Sequence, residues 1–567
     1  MAQHNNFQVS AHLVIGVTGH RNLHQDEFAS LQDRTRRFFQ ALQLRYPDLP
    51  LCLLSSLAAG SDQLVTDVAL EMGIHVIAPL PMAQEQYLAD FESSESREIF
   101  LRQCQQAELL TMPLHQGSLL DAIKLPGPER DLQYAQAGIF VSSHCHILLA
   151  LWDGKESELL GGTAQVVNFH LQGSMPGPID RQRAALGLLG MDDDTLVYHI
   201  TANRQNQALA TIPESSRWLT SNQGIVSQSI LPVAFDFMFR RQSAFNRDWH
   251  QYEKVIAQQP LDNATEADCP IHSLFRVADC LANIYQKRIS RVLKTTYLLA
   301  AFLGAAFIIF ADRYAQNGLL YLFLALLLAG LGFASIMKRR DWHRKYIDYR
   351  VLAEGLRVQS YWRRAGIVYN NTPSFTHENL LQPALIELGW IRNIMRTATI
   401  DGILNPNANT EPQIDAVIEQ WIGDSEHSGQ LQYYSKSSEK RMRLRNRSEM
   451  IGHSLLWMGI ALSLVLVMFS QLLQDELQNI MIASMGVLSV AAAIHEAYVY
   501  KKADKVLIKQ YHYMHRIFLS ALQRIGSCKN TDEQRQILRT LGEAALAEHA
   551  EWTLMHRERP LQDSPQK

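Results

Sequence analysis

The sequence predicts two architectures in one chain: an N-terminal α/β domain on a doubly wound parallel sheet, and an all-α membrane module of four transmembrane helices with long cytosolic helices. Three observations predict them. Short apolar runs that end in glycine-rich turns alternate with helical patterns over the first 200 or so residues. Four long, uncharged apolar segments lie between residues 295 and 494. Each pair of those segments then runs into an amphipathic helical pattern.

The length, 567 residues, exceeds a single ordinary core and implies several units. The pattern divides at 1–205 (the α/β domain), 206–290 (a mostly helical connection), 291–365 (the first apolar hairpin and its helix), 366–450 (a cytosolic helical insert), 451–550 (the second hairpin and its helix) and 551–567 (a polar tail). A net charge of −3 gives no global basic field, so nucleic acid is not an expected partner. The six cysteines are scattered without a C-x-x-C pair, which suggests neither a disulfide framework nor a zinc ribbon. The opening residues lack the basic stretch and cleavable apolar run of a secretory signal, so the N-terminal domain is expected to stay in the cytosol.

Within the α/β domain, a strand at 13–17 runs into the tight turn Thr18-Gly19-His20-Arg21. A second strand at 51–54 leads through a small-residue loop ending at Gly60 into a helix whose expected cap is Ser61 or Asp62. The next strand begins just after Gly73, giving the strand, helix, strand order of a right-handed crossover. A third unit, HCHILLALWDG, ends at Trp152-Asp153-Gly154, and Gly161-Gly162-Thr163 open the helix that follows. Glycines let a ligand approach the backbone, and a helix N-terminus favours phosphate. All three loops fall at strand carboxyl ends, where they converge on one ligand if the sheet is doubly wound. Neither a Walker loop nor a G-x-G-x-x-G fingerprint is present. Arg130 and Tyr134 share a helix face that reaches either toward this pocket or into packing. His144 and His146 would share a strand face, half a zinc site at most, and Asp192, Asp193 and Asp194 lack the spacing of a calcium loop; no metal is expected. Between about 170 and 263 the pattern is irregular, with a strand at LVYHIT and a helix at AFDFMFRRQSAFNRDW.

The four apolar segments are 295–311, 318–337, 454–473 and about 480–494, each near the length that crosses roughly 30 Å of hydrocarbon. The alternative is buried helices of a large soluble core. Lys287, Arg288, Arg291 and Lys294 precede the first, Lys338, Arg339 and Arg340 follow the second, Arg441, Arg443, Arg445 and Arg447 precede the third, and Lys501, Lys502 and Lys505 follow the fourth. The hairpin tips carry Arg313 as their one basic residue, so both termini and the middle segment are assigned to the cytoplasm. Trp342, Tyr346, Tyr349, Leu352, Leu356 and Gln359 form one amphipathic stripe, and Tyr500, Ala503, Leu507, Tyr511, Met514 and Phe518 the other. His495 and Glu496 mark either a pore mouth or the end of the fourth span.

G-V-T-G-H-R at 16–21, L-A-A-G-S-D at 57–62, L-A-L-W-D-G at 149–154 and G-G-T-A at 161–164 resemble the SLOG superfamily over roughly the first 200 residues. That resemblance implies a Rossmann-like fold and a nucleotide or nucleotide-derived ligand, held here at Thr18, Gly19, His20, Arg21, Gly60, Ser61, Asp62, Trp152, Asp153, Gly154, Gly161, Gly162 and Thr163, with no further cofactor. In the family's nucleoside-monophosphate hydrolases a glutamate follows the glycine-threonine loop, whereas this chain runs Gly161-Gly162-Thr163-Ala164-Gln165-Val166. Binding is therefore expected rather than hydrolysis, so no catalytic residue is assigned. Asp62 or Asp153 would have to supply a carboxylate if a bond were cleaved. The stretch DYRVLAEGLRVQSYWRRAGI resembles SLATT-type transmembrane modules, from which the chain departs by having four spans rather than two. Together the resemblances imply a homo-oligomeric bacterial inner-membrane effector in which ligand binding permeabilises the membrane, in antiviral defence or stress. A membrane-anchored hydrolase and an anchored interaction protein are the alternatives.

Overall fold

A computed structural model describes residues 10–115, 120–157, 159–173, 175, 195–205, 216–221, 226–258, 270–312, 317–367, 388–404, 413–424, 428–502 and 504–557. The run Asp192, Asp193 and Asp194 lies outside them. Two compact units are formed: Met1–Asp279 with Val351–Pro412 and Leu546–Lys567, and Cys280–Arg350 with Gln413–Ala545.

The first unit is organised by an eight-stranded sheet, β1 (Leu13–Gly19), β2 (Leu51–Leu54), β3 (His75–Leu80), β4 (Glu108–Thr111), β5 (Ile147–Trp152), β6 (Val197–Thr201), β7 (Ser216–Thr220) and β8 (Val226–Gln228), in the order β4-β3-β2-β1-β5-β6-β7-β8. The first six strands pair in parallel, and β7 and β8 are added antiparallel to their neighbours. From β1 the chain winds outward through β2, β3 and β4, then returns to β1's other side to lay down β5 and β6. The topological switch therefore lies between β1 and β5. The central strands are apolar on both faces, with Val14, Ile15, Leu53, Leu148 and Leu149 fully buried, because helices cover both. Helices α1 (Phe28–Arg45), α2 (Ser61–Glu71), the short α3 (Gln84–Leu88) and α4 (Ser94–Gln106) connect the first four strands, and α1, α2 and α4 pack as one layer. Helices α5 (Pro128–His144) and α6 (Thr163–Gln172) pair as the second. Right-handed crossovers put the two layers on opposite faces.

HCHILLALWDG is not all strand. His144 ends α5, its ring bonded to the Phe140 carbonyl at 2.8 Å, and the strand starts at Ile147. The His146 ring accepts the Val14 amide at 3.1 Å and reaches the Asn393 carbonyl at 2.9 Å. Burial pushes His146 down to about 3 and His144 to about 4, so both are neutral structural connectors. Two further helices belong to this unit. In α7 (Val233–Ala257), Asn246 bonds both the amide and the carbonyl of Ala11, and α11 (Gly389–Leu404) packs against α5 and α7.

The second unit is helical. Among the described residues, three helices are long and apolar enough to cross a membrane: Ile271–Phe310 within α8 (Pro270–Asp312), α13 (Gly429–Phe469), and Asp475–Ser527, which covers α14 (Asp475–Lys502) and α15 (Asp504–Ser527). At most 6% of each apolar window is buried inside the protein, which is the opposite of a soluble core helix. A shorter apolar stretch, Leu320–Phe333, lies in α9 (Asn317–Arg339) and falls below the ~20 residues of a standard crossing. A β-carbon on Gly304 of α8 would stand 2.4 Å from Val490 of α14, and one on Gly486 would meet Ile308 at 3.2 Å. Glycine on each helix thus receives an aliphatic side chain from the other, the close approach that small residues permit between apolar helices.

The amphipathic stripes hold in part. In α10 (Trp342–Arg364), Tyr349, Leu352, Leu356 and Gln359 are buried. In α15 the buried face begins at Asp504 and Ile508 and continues through Met514 and Phe518, while Tyr500 is exposed and Ala503 lies outside the described residues. At its start the buried face includes Asp504, which pairs with Arg441 at 2.9 Å and Lys502 at 2.7 Å. The short α12 (Ile414–Val417) precedes α13, and the last helix is α16 (Thr531–Arg557).

Candidate functional site

A cleft of about 420 Å³ opens at the carboxyl ends of β1 and β2, beside the topological switch, within the range of small-molecule sites. Its wall includes Thr18 and Gly19 at the end of β1, His20 and Arg21 after it, Asp62 from α2, Asp131 and Tyr134 from α5, and Gly161, Gly162 and Thr163 at the start of α6. Loops that are distant in sequence meet here because each leaves the same edge of a parallel sheet.

The α6 end is the clearest anion-binding feature. Gly162 occupies the capping position and supplies no side-chain cap, so the first-turn amides open toward the cleft without a side-chain oxygen of their own. Gly161 is held at φ 72°, and a β-carbon there would stand 2.9 Å from the Ala135 amide nitrogen, so only glycine brings this loop down onto α5. At the facing turn the Arg21 guanidinium lies 4.8 Å over the Tyr134 ring. The Tyr134 hydroxyl in turn donates to Asp90, which Arg130 holds at 2.6 Å. Of the two residues singled out on α5, Tyr134 lines the cleft and Arg130 stands behind it, buried.

Gly60 and Ser61 form a joint beneath the cleft rather than its wall. Ser61 donates through both its amide (3.0 Å) and its hydroxyl (2.9 Å) to the His20 carbonyl. Gly60, at φ 81°, approaches the Arg21 carbonyl so closely that a β-carbon would lie 2.1 Å from it. Neither Ser61 nor Asp62 caps α2 with its side chain: Gly60 is the capping residue, and the Ser61 hydroxyl is committed to His20. Asp62 instead turns its carboxylate toward the loop before it. Burial raises it to about 7, against the backbone groups of Ala58 and Ser56 and the Arg21 charge, which favour ionisation.

Trp152, Asp153 and Gly154 lie outside the cleft wall. Trp152 donates to the Lys155 carbonyl at 3.0 Å and packs 5.4 Å from His199, while Gly154 faces the same histidine. Asp153 is a buried support whose amide donates to His20 Nε2 at 3.1 Å and whose carboxylate lies 3.2 Å from that nitrogen. Burial lowers His20, and an Nε2 that accepts an amide proton belongs to the neutral ring. Arg204 completes this cluster, its Nε 3.7 Å from Asp153, and also lines the cleft.

No family model, curated protein or solved structure matches the chain. The site therefore rests on its own chemistry: an uncapped helix terminus, two arginines, two tyrosines and one carboxyl group that titrates near neutrality. Tyr87, Asp131 and Arg204 were not marked by the sequence reading. Arg204 was legible in principle, since it follows β6 at the same sheet edge, whereas Tyr87 comes from the short α3, which has no motif.

Proposed function

We propose that this chain is a multi-pass bacterial inner-membrane effector whose cleft binds a nucleotide or nucleotide-derived ligand and thereby opens a path through the membrane. The observation that carries the reading is the uncapped α6 terminus facing Arg21 across one cleft, in a chain whose described residues also include three membrane-length helices. An anion at the helix terminus and a planar group near Arg21 and Tyr134 suit a phosphate joined to a base. The SLOG and SLATT resemblances point the same way. They also supply the wider assignment to antiviral defence or stress. In this reading Leu320–Phe333 completes a fourth span by drawing on the flanking turns of α9, and both termini are cytoplasmic. Four spans leave little room for a conducting path in one subunit, so homo-oligomerisation forms it.

One observation favours a second reading, an anchored hydrolase. Asp62 reaches the cleft with a value of about 7, suited to proton transfer, whereas Asp153 does not line it. Thermal-shift titration of the full chain with nucleoside monophosphates, ADP-ribose derivatives and cyclic nucleotides, followed by chromatography of the mixtures, separates the two. Stabilisation with ligand recovered intact supports the effector; a consumed nucleotide supports the hydrolase; no shift with any member counts against both.

A further inference from the structure

We infer that the base of the first apolar hairpin, where α8 meets α10, is a binding site for anionic phospholipid headgroups. The inference rests on the membrane reading above. From Cys280 to Arg350, setting aside the tip pair Asp312 and Arg313, the chain carries ten Lys and Arg side chains against two acids. Of those acids, Asp341 pairs with Arg344 at 3.0 Å and Asp348 is buried, so the segment's own charge is strongly cationic at this end of the helices.

The charge is also organised. The Arg288 guanidinium of α8 lies 5.6 Å from the ring of Tyr285 and 5.6 Å from that of Trp342. Lys345 of α10 places its Nζ 5.3 Å from the same Tyr285 ring and 3.4 Å from its hydroxyl. One tyrosine therefore gathers cations from two helices, and the tryptophan adds an amphipathic ring of the kind that settles at headgroup depth. Held this way, Arg288 and Lys345 need little further ordering to meet a phosphodiester, and Lys287, Arg291 and Lys294 continue the positive stripe along α8. A zwitterionic headgroup brings its own cation to this face and is disfavoured. Phosphatidylglycerol or cardiolipin brings none.

The test is native mass spectrometry of the full chain released from nanodiscs of equimolar phosphatidylcholine and phosphatidylglycerol. Wild type is expected to retain phosphatidylglycerol over phosphatidylcholine, and Arg288→Gln with Lys345→Gln to reduce that enrichment by about fivefold per charge removed. Arg288→Lys should keep most of it, and Arg37→Gln, an exposed α1 residue, should change nothing. Equal retention of both lipids, or loss with Arg37→Gln as well, overturns the site. Displacement by inorganic phosphate alone overturns its assignment to a lipid. Extraction of the chain from membranes by alkaline carbonate would instead sink the membrane reading, so the two failures are told apart.

Discussion

Gly162→Asp separates ligand binding from folding. Gly162 sits at the capping position of α6 with extended backbone, φ −71° and ψ 160°, which aspartate adopts without strain. Its β-carbon would meet the Leu159 carbonyl oxygen at 3.0 Å, a contact that a few tenths of an ångström of loop movement relieves. The new carboxylate would cap the first-turn amides and interact favourably with the helix dipole, offsetting that crowding, so stability should change by less than about 1 kcal/mol. The same carboxylate takes the donors a ligand phosphate would use and repels it. Losing a single charged hydrogen bond of about 1.5–3 kcal/mol predicts at least a tenfold drop in affinity. Isothermal titration with whichever nucleotide stabilises the wild type, beside a thermal melt, reads both quantities. Affinity within threefold of wild type at an unchanged melting temperature would refute the placement of the anion at α6.

Three further outcomes follow from named contacts. The folded value of Asp62, about 7, lies above its unfolded value, so the native state keeps a proton that the unfolded chain releases; stability therefore falls as pH rises from about 4 to 7 and levels above that, by on the order of 4 kcal/mol. Asp62→Asn should flatten this slope in melts across that range, and an unchanged slope would assign it to another group. Arg21→Gln removes the guanidinium over Tyr134 and should weaken nucleotide binding about tenfold while leaving the melting temperature within a degree or two, since Arg21 is exposed at the cleft. Gly304→Leu cannot fit against Val490 and should destabilise the detergent-solubilised chain by about 1–3 kcal/mol, with partial rescue by Val490→Ala; a silent Gly304→Leu would show that α8 and α14 do not pack there.

The doubly wound sheet was legible because buried parallel strands read as continuous apolar runs, as at Leu51–Leu54 and Ile147–Trp152, each closed by a turn. The run at 144–146 misled because a helix end and a strand start abut there without glycine or proline, and nothing local marks the change. Loop motifs identified which strand ends matter but not which side chains face the cleft. Ser61 looked like a cap and Trp152 like a wall residue because both lie beside the right turns, whereas their orientation depends on His20 and His199, distant in sequence. Arg130 and Tyr134 shared a predicted face and both bond Asp90, and only the fold separates their roles, with Tyr134 lining the cleft and Arg130 buried behind it. Three of the four apolar segments were legible from composition as helices long enough to cross a membrane, since length and lack of charge are sequence properties, whereas the second falls short of that length among the described residues. The paired contacts of Gly304 and Gly486 required the fold.

In the proposed function a ligand in the cleft opens the membrane. Calcein and ion efflux from liposomes containing the purified chain, screened against cyclic nucleotides, ADP-ribose derivatives and nucleoside monophosphates, tests it most directly. Leakage should depend on one ligand class and be abolished by Gly162→Asp. Leakage that is ligand-independent and unaffected by Gly162→Asp, or a ligand that binds tightly at the cleft without any leakage, would contradict it.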